Sequence, residues 1–514
     1  MYESKYSRYV TYSNTRFAED DEIIRSLVPL SQGAGVPLYE KDGVVYVDNK
    51  DNHSITIGGT GCGKTRASAK TTIRSVIANK ESAIINDPKG ELFKATAGYA
   101  TSMNYKVNVL NLRDPEKSHH WNPLDMIYNY YQNGQLSKAQ QAIDDFAADL
   151  MSQTADQNDR FWDTSASSFL SRLMELCMYF SKTPEQFTLE NILPLCNEKA
   201  QQTVREMLDN VPDISEAIKA GIEGVIGISA EKTKSCIYGV LHSGINTLVK
   251  SSSLLTLFNS NEINFRQMTE EPVITYIIYP DEKSAMNNGV KVFLTQAYTA
   301  FVDICSARSD DRLPIRMNFI LDEFSNLTQI QNFDNRISES RSKNIRYHLY
   351  CQSMNQLSEK YGERVAQTIL SNCTSWTCYS SKEAVFLENI SHLCGTVIDY
   401  NGASQPLIST AELQYLEKGE NSVEVLVLRQ GVRPYVAALP YYDKLFGDTF
   451  APPVISTSEH PYHEKLDHGD WINLAMDYND RPRKGSPVMT ERDARLQRKI
   501  IAHYGTTGLT DASA

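Results

Sequence analysis

Three things are scarce in this 514-residue chain, and each scarcity removes a class of function. Positive charge is not in excess. There are 51 Lys and Arg against 63 Asp and Glu, a formal net charge of −12, which excludes a protein that coats nucleic acid or an anionic membrane through its bulk field. Any contact with nucleic acid must then be local, in a channel or a loop. Long hydrophobic runs are missing as well. The most apolar strand-like stretch, residues 273–279, is far shorter than the roughly 20 residues that span a bilayer core. The N-terminal region is polar and carries Glu19-Asp20-Asp21-Glu22, where a secretory signal would be apolar. Cysteine pairs at metal-ligand spacing are also absent. The nine cysteines are scattered, odd in number and mostly in apolar contexts, which favours a reduced, cytoplasmic compartment over a disulfide framework. Cys373, Cys378 and Cys394 form no Cys-x-x-Cys pair, so no zinc site is expected there.

What is present is a glycine-rich turn in a meaningful context. Gly58-Gly59-Thr60-Gly61-Cys62-Gly63-Lys64-Thr65 follows the apolar stretch Ser54-Ile55-Thr56-Ile57 and precedes a helical pattern, the strand, loop and helix order of a P-loop. The glycines let backbone N–H groups converge into a nest for phosphate oxygens, and the following helix adds a partial positive charge at its N-terminus. Lys64 is expected to reach the β- and γ-phosphates of ATP, and Thr65 to hold Mg2+ through its hydroxyl. Cys62 sits beside the lysine and the helix end, which could activate its thiol; the reading adopted is a small side chain that fits.

The rest of the chain is organised around that turn. Residues 1–50 form a lead-in with a helix near 18–28 and a hairpin over 38–47, where Lys41-Asp42-Gly43 is the turn signal. Residues 51–125 alternate strands (82–87, 106–112) with helices, which predicts α/β architecture with a mostly parallel sheet, as in P-loop nucleotidases. Over 126–260 strand signals vanish and apolar residues recur three and four apart, as at Leu170, Leu173, Met174 and Cys177, which predicts an inserted all-α domain. The sheet resumes over 261–450, with strands at 273–279, 317–321, 347–351 and 375–379 and a closing hairpin at 424–428 and 435–439. Residues 451–514 read as a tail, with a basic helix near 490–504.

A P-loop hydrolyses nothing without a carboxylate at the end of a second strand. Phe319-Ile320-Leu321-Asp322-Glu323 supplies two: Asp322 to hold Mg2+ and Glu323 to polarise the attacking water as general base. Gln352 ends the strand 347–351, where it could report a γ-phosphate. Arg341 lies in a polar stretch that could face a neighbouring subunit. By themselves both residues read more readily as surface or capping residues than as parts of the site.

Taken together, Gly58 to Thr65, Asp87-Pro88-Lys89-Gly90-Glu91-Leu92, Trp121-Asn122-Pro123-Leu124-Asp125, Phe161-Trp162, Asp322-Glu323-Phe324-Ser325-Asn326-Leu327, Arg341-Ser342 and Gln352-Ser353 resemble the type IV secretion coupling proteins, the TraG/TraD-like conjugative DNA-transfer ATPases. The resemblance implies a RecA-like domain interrupted by an all-α domain, a homo-hexameric ring, and ATP-driven transfer of single-stranded DNA, a relaxase–DNA complex or protein into a secretion channel. It also implies that Arg341 acts in trans, that Gln352 senses phosphate, and that the all-α domain recognises cargo, with Phe161 and Trp162 expected to pack in its core. Most members begin with a pair of membrane helices that this sequence does not show. That leaves a separate membrane partner at the cytoplasmic face, a soluble branch or a shortened chain as alternatives. In a ring, pore loops would join a few cations to stacking aromatics; the cations in 336–346 and 481–499 are candidates for that contact, although a charge run is more often only a solvated face. Two other functions are compatible with the motifs: a soluble ring DNA translocase unconnected to secretion, and a substrate receptor whose assembly is controlled by nucleotide.

Overall fold

The computed structural model describes residues 15–151, 160–246, 248, 252–280, 287–398, 402–447, 450–455 and 464–480. The basic stretch 481–499 and the expected helix near 490–504 lie outside the described residues. Two compact units are present. One comprises Met1–Pro123, Asp149–Gln153 and His242–His463; the other comprises Leu124–Ala148, Thr154–Leu241 and Glu464–Ala514.

The first unit is built on a nine-stranded sheet. In chain order its strands are β1 (His53–Ile57), β2 (Ser82–Asn86), β3 (Lys106–Asn111), β4 (Val273–Ile278), β5 (Met317–Leu321), β6 (Ile345–Cys351), β7 (Cys373–Cys378), β8 (Ser422–Arg429) and β9 (Val432–Pro440). Across the sheet they run β9-β8-β7-β1-β6-β5-β2-β4-β3. The strands from β7 to β3 are parallel throughout, and the hairpin β8–β9 closes one edge antiparallel. Every residue of β1, β2, β4, β5 and β6 is buried, as expected of parallel strands covered on both faces, and their Ile- and Val-containing runs suit that environment. Tyrosines in the sheet reach hydroxyls on the covering helices. Tyr379 pairs with Ser68 at 2.8 Å, Tyr350 with Thr72 at 2.9 Å and Tyr276 with Thr96 at 2.7 Å, which satisfies polar groups that burial would otherwise strand. These contacts fix the helices α1 (Lys70–Ala78) and α2 (Glu91–Ser102) against the sheet. The expected lead-in hairpin is present as Pro37–Lys41 and Val44–Val47. Its turn residues Asp42 and Gly43 both have positive φ, as a two-residue hairpin turn requires.

The parallel strands all end on one side. Gly58 follows β1, Asp87 follows β2, Asp322 follows β5 and Gln352 follows β6, so four sequence-distant segments meet beyond the carboxyl ends of neighbouring strands, the usual ligand position in open α/β sheets.

The second unit is helical. Arg160–Phe180 packs against Glu216–Ile226, and Phe169, Leu173, Met174 and Cys177 of the first and Ile218, Ile222 and Val225 of the second are buried. Two expectations need correction. The region read as a tail contains a helix, His468–Asp480, which packs on Arg160–Phe180 and Gln201–Asp209; buried Trp471 donates from Nε1 to the Asn191 carbonyl at 3.1 Å. Its sparse apolar residues, Trp471, Leu474 and Ala475, share one face, and that spacing was the available signal. Phe161, expected in the helical core, is 60% exposed and meets Trp162 edge-to-face at 5.0 Å.

Candidate active site

The P-loop backbone needs its glycines at specific places. A Cβ on Gly58 would lie 2.4 Å from Tyr379 Cβ and 2.9 Å from Cys62 Sγ, and Gly63 has φ +107, a conformation other residues rarely adopt. The helix after the loop starts with a π-helical turn, Lys64–Ala69, before continuing as α1. Such turns are frequent at functional sites. Lys64 is buried, and its ammonium donates to the carbonyls of Gly58 and Gly59, inside the curve of its own loop. Lys418 also donates to the loop, at Gly61 O, 2.7 Å away. Cys62 packs with Ala67, Tyr379, Val423 and Tyr441, and burial pushes its thiol above the ordinary range, so it acts as a small apolar side chain.

Opposite the loop stands a group of carboxyls. Thr65 Oγ1 lies 3.5 Å from Asp322 Oδ2, which places both proposed Mg2+-holding groups side by side. Burial, reinforced by Glu323 and Asp87, pushes Asp322 up to about 7, although Lys64 pulls the other way. Asp87 is likewise raised by burial, to about 6, and its Oδ1 is buried without a hydrogen-bond partner. A buried carboxylate oxygen without a donor, beside a second buried carboxyl, is a donor set suited to a hard cation, whose charge would favour the ionised form of both. Among the described residues no three His, Cys, Asp or Glu side chains form a self-contained metal site.

Glu323 has φ +51 and ψ 40, a left-handed conformation uncommon outside glycine and concentrated at functional sites. Its carboxylate accepts from Gln352 Nε2 at 2.7 Å and lies 3.5 Å from the Lys89 ammonium. Gln352 Oε1 in turn accepts from Thr60 Oγ1 at 3.1 Å, so one glutamine joins the P-loop to Glu323.

The structure therefore brings together Gly58, Gly59, Thr60, Gly61, Cys62, Gly63, Lys64, Thr65, Asp322, Glu323 and Gln352. It does not bring Arg341 to them. Arg341 lies in the short turn Arg341–Lys343 that precedes β6, whose seven residues put about 23 Å of strand between that turn and Gln352, and it donates from Nε to the Asp51 carbonyl at 2.9 Å. The candidate DNA-facing cations Arg336, Lys343 and Arg346 are engaged within the chain. Arg346 is fully buried against Glu81 at 2.7 Å, Arg336 donates to Thr295 Oγ1 at 3.1 Å, and Lys343 pairs with Asp311 at 3.1 Å. Arg346 is thereby removed as a pore residue, because β6 is covered on both faces and every one of its residues is buried. Asp87 and Lys89 were visible in the sequence as part of a motif but carried no assigned role. Lys418 had no sequence signal, since it reaches the loop from more than 350 residues away.

Residues 9–406 match the sequence model of the family described as type IV secretory system conjugative DNA transfer. The chain belongs to this family. A conjugal transfer protein TraG of Escherichia coli is 22% identical over 392 residues, covering 72% of this chain and 59% of the relative. A second TraG of that organism is 24% identical over 383 residues, covering 69% and 57%. The chain thus spans less than two thirds of the length of these relatives. Solved structures of the plasmid coupling protein TrwB share the fold. The complex with the ATP analogue ADPNP has a TM-score of 0.57 at 15% identity, covering 87% of this chain and 98% of TrwB. The complex with ADP and Mg2+ has 0.57 at 16%, covering 86% and 96%. The trigonal form with sulphate has 0.58 at 15%, covering 87% and 96%. The family and these likenesses make the nine-stranded unit a RecA-like P-loop fold.

Proposed function

We propose that this family member is an ATP-hydrolysing coupling protein that drives DNA, or a relaxase–DNA complex, into a type IV secretion channel. The observation that carries the reading is the convergence of Lys64, Thr65, Asp322, Glu323 and Gln352 at the ends of three adjacent parallel strands. TrwB structures with ADPNP and with ADP and Mg2+ support nucleotide and magnesium as its ligands.

In this reading the loop amides and Lys64 bind the β- and γ-phosphates, which requires the ammonium to leave the Gly58 and Gly59 carbonyls that it now bonds. Magnesium, held by Thr65 and Asp322 together with phosphate oxygens, would neutralise charge on the transferring group. Glu323 orients the attacking water and takes its proton at the carboxylate. Gln352, already bonded to both Thr60 and Glu323, ties the presence of the terminal phosphate to the position of that base. Arg341, which lies far from its own site, serves the site of a neighbouring copy in a homo-hexameric ring and stabilises charge on the phosphoryl group there.

Single-stranded DNA, secretion-channel components and a separate membrane anchor at the cytoplasmic face are the partners this assignment implies. No helix among the described residues is long and apolar enough to cross a membrane. A receptor with incidental turnover would not need every part of a hydrolytic site. The test is ATP hydrolysis by the purified chain with and without single-stranded DNA, alongside its mass by light scattering. DNA-stimulated turnover in a multimer is expected; a monomer with no turnover under either condition would overturn the proposal.

A further inference from the structure

The turn after β2 carries a lysine that the mechanism above leaves unused, and its role rests on that hydrolytic reading. We propose that Lys89 is a positioning residue for hydrolysis. Together with Gln352 it holds the Glu323 carboxylate by one oxygen each, so that the base keeps a single orientation.

Lys89 Nζ lies 3.5 Å from Glu323 Oε1, while Gln352 Nε2 donates to Oε2 at 2.7 Å. The terminal torsion of a free glutamate is broad, and two partners on two different oxygens restrict it in a way that one partner does not. The charges favour the same arrangement. Asp87, Asp322 and Glu323 place three carboxyls in one region, and Lys64 is turned into the P-loop. Lys89 is the cation that faces Glu323, and it feels Glu91 and Asp322 as well. Without it the Glu323 side chain, only 11% exposed, would keep one neutral donor and remain beside another acid.

The backbone presents Lys89 with little freedom. Pro88 fixes its own φ, and its carbonyl accepts from Arg113 Nη2 at 2.9 Å. Gly90 has φ +70 and donates its N–H to Asp87 O at 3.1 Å, while Asp87 Oδ2 accepts from Phe93 N at 2.8 Å and fixes the start of α2. The turn is rigid and the lysine stem is half exposed, so Lys89 can follow the carboxylate without moving the loop.

The test compares Lys89→Met and Lys89→Arg in the full chain by steady-state ATP hydrolysis, with ADP affinity measured alongside. Lys89→Met should lower kcat about tenfold while KM and ADP affinity stay within about twofold, because a charged contact to the base is lost and the phosphate site is untouched. Lys89→Arg should restore most of kcat. In a Glu323→Gln background, Lys89→Met should cause no further loss, since the charge it serves is already gone. An unchanged kcat in Lys89→Met, a rise in KM with kcat intact, or equal losses in the Met and Arg variants would each overturn the role. Failure of the hydrolytic reading looks different, because wild type itself would then show no turnover.

Discussion

Gln352 Nε2 donates to Glu323 Oε2 at 2.7 Å, and the same side chain accepts from Thr60 Oγ1 at 3.1 Å. The glutamine therefore spans from the phosphate-binding loop to the base. Gln352→Ala should lower kcat by roughly ten- to a hundredfold, the weight of one hydrogen bond to a charged group, with a smaller change in KM. Gln352→Glu should be worse, because it sets two carboxylates against each other. Steady-state kinetics on both variants check this; a Glu variant more active than the Ala variant would contradict the contact.

Arg341 lies at the far end of β6 from Gln352 and is held at Asp51 O, so its own P-loop is out of reach. Arg341→Ala and Lys64→Ala should each abolish turnover. Mixing the two should restore part of it, because some junctions then pair an intact P-loop with an intact arginine. Activity of the mixture no greater than that of either variant alone would argue against a shared site.

His53 is buried and neutral. Its Nδ1 accepts from Tyr347 N at 3.0 Å, its Nε2 hydrogen reaches Ile337 O at 2.8 Å, and burial lowers its pKa to about 3. The unfolded chain therefore binds a proton that the folded chain does not between about pH 3 and 6.5, and this histidine's contribution to stability falls as pH drops through that window. Asp87 and Asp322, whose pKa values are raised, act in the opposite direction, so the contribution has to be read as a difference. The stability advantage of wild type over His53→Asn should shrink by about 1.2 kcal/mol from pH 6 to 5, measured by urea unfolding. A difference independent of pH would contradict a neutral buried imidazole.

Arg346 is fully buried, with Glu81 at 2.7 Å, Asn318 Oδ1 at 3.0 Å and Ala34 O at 2.9 Å. Arg346→Ala removes these bonds and empties a fully buried site, while Glu81 keeps Arg316 at 3.0 Å, and should destabilise the chain by about 2–5 kcal/mol. A loss in DNA binding with stability unchanged would instead mark Arg346 as a pore residue.

The sequence was most legible where one residue type had one physical meaning. Gly58, Gly63 and Lys64 announced the loop because only that backbone needs them, and Asp322-Glu323 stood out by ending an apolar strand. Strands alternating with helices at that spacing pointed to a mostly parallel sheet. What escaped was set by packing. Lys418 reaches Gly61 only once β8 folds beside the loop. Asp87 becomes a buried acid only between β5 and β4. Arg346 reads as a surface cation until β6 takes an interior place in a sheet covered on both faces. The helix His468–Asp480 carries too few apolar residues to stand out, although Trp471 and Ala475 share a face.

The most direct test of the hydrolytic site is nucleotide retention and turnover measured together in wild type, Lys64→Ala and Glu323→Gln. Lys64→Ala should neither retain ATP nor hydrolyse it, while Glu323→Gln should retain ATP and hydrolyse it at least about a hundredfold more slowly than wild type. Turnover undiminished in both variants would contradict the assignment of these residues.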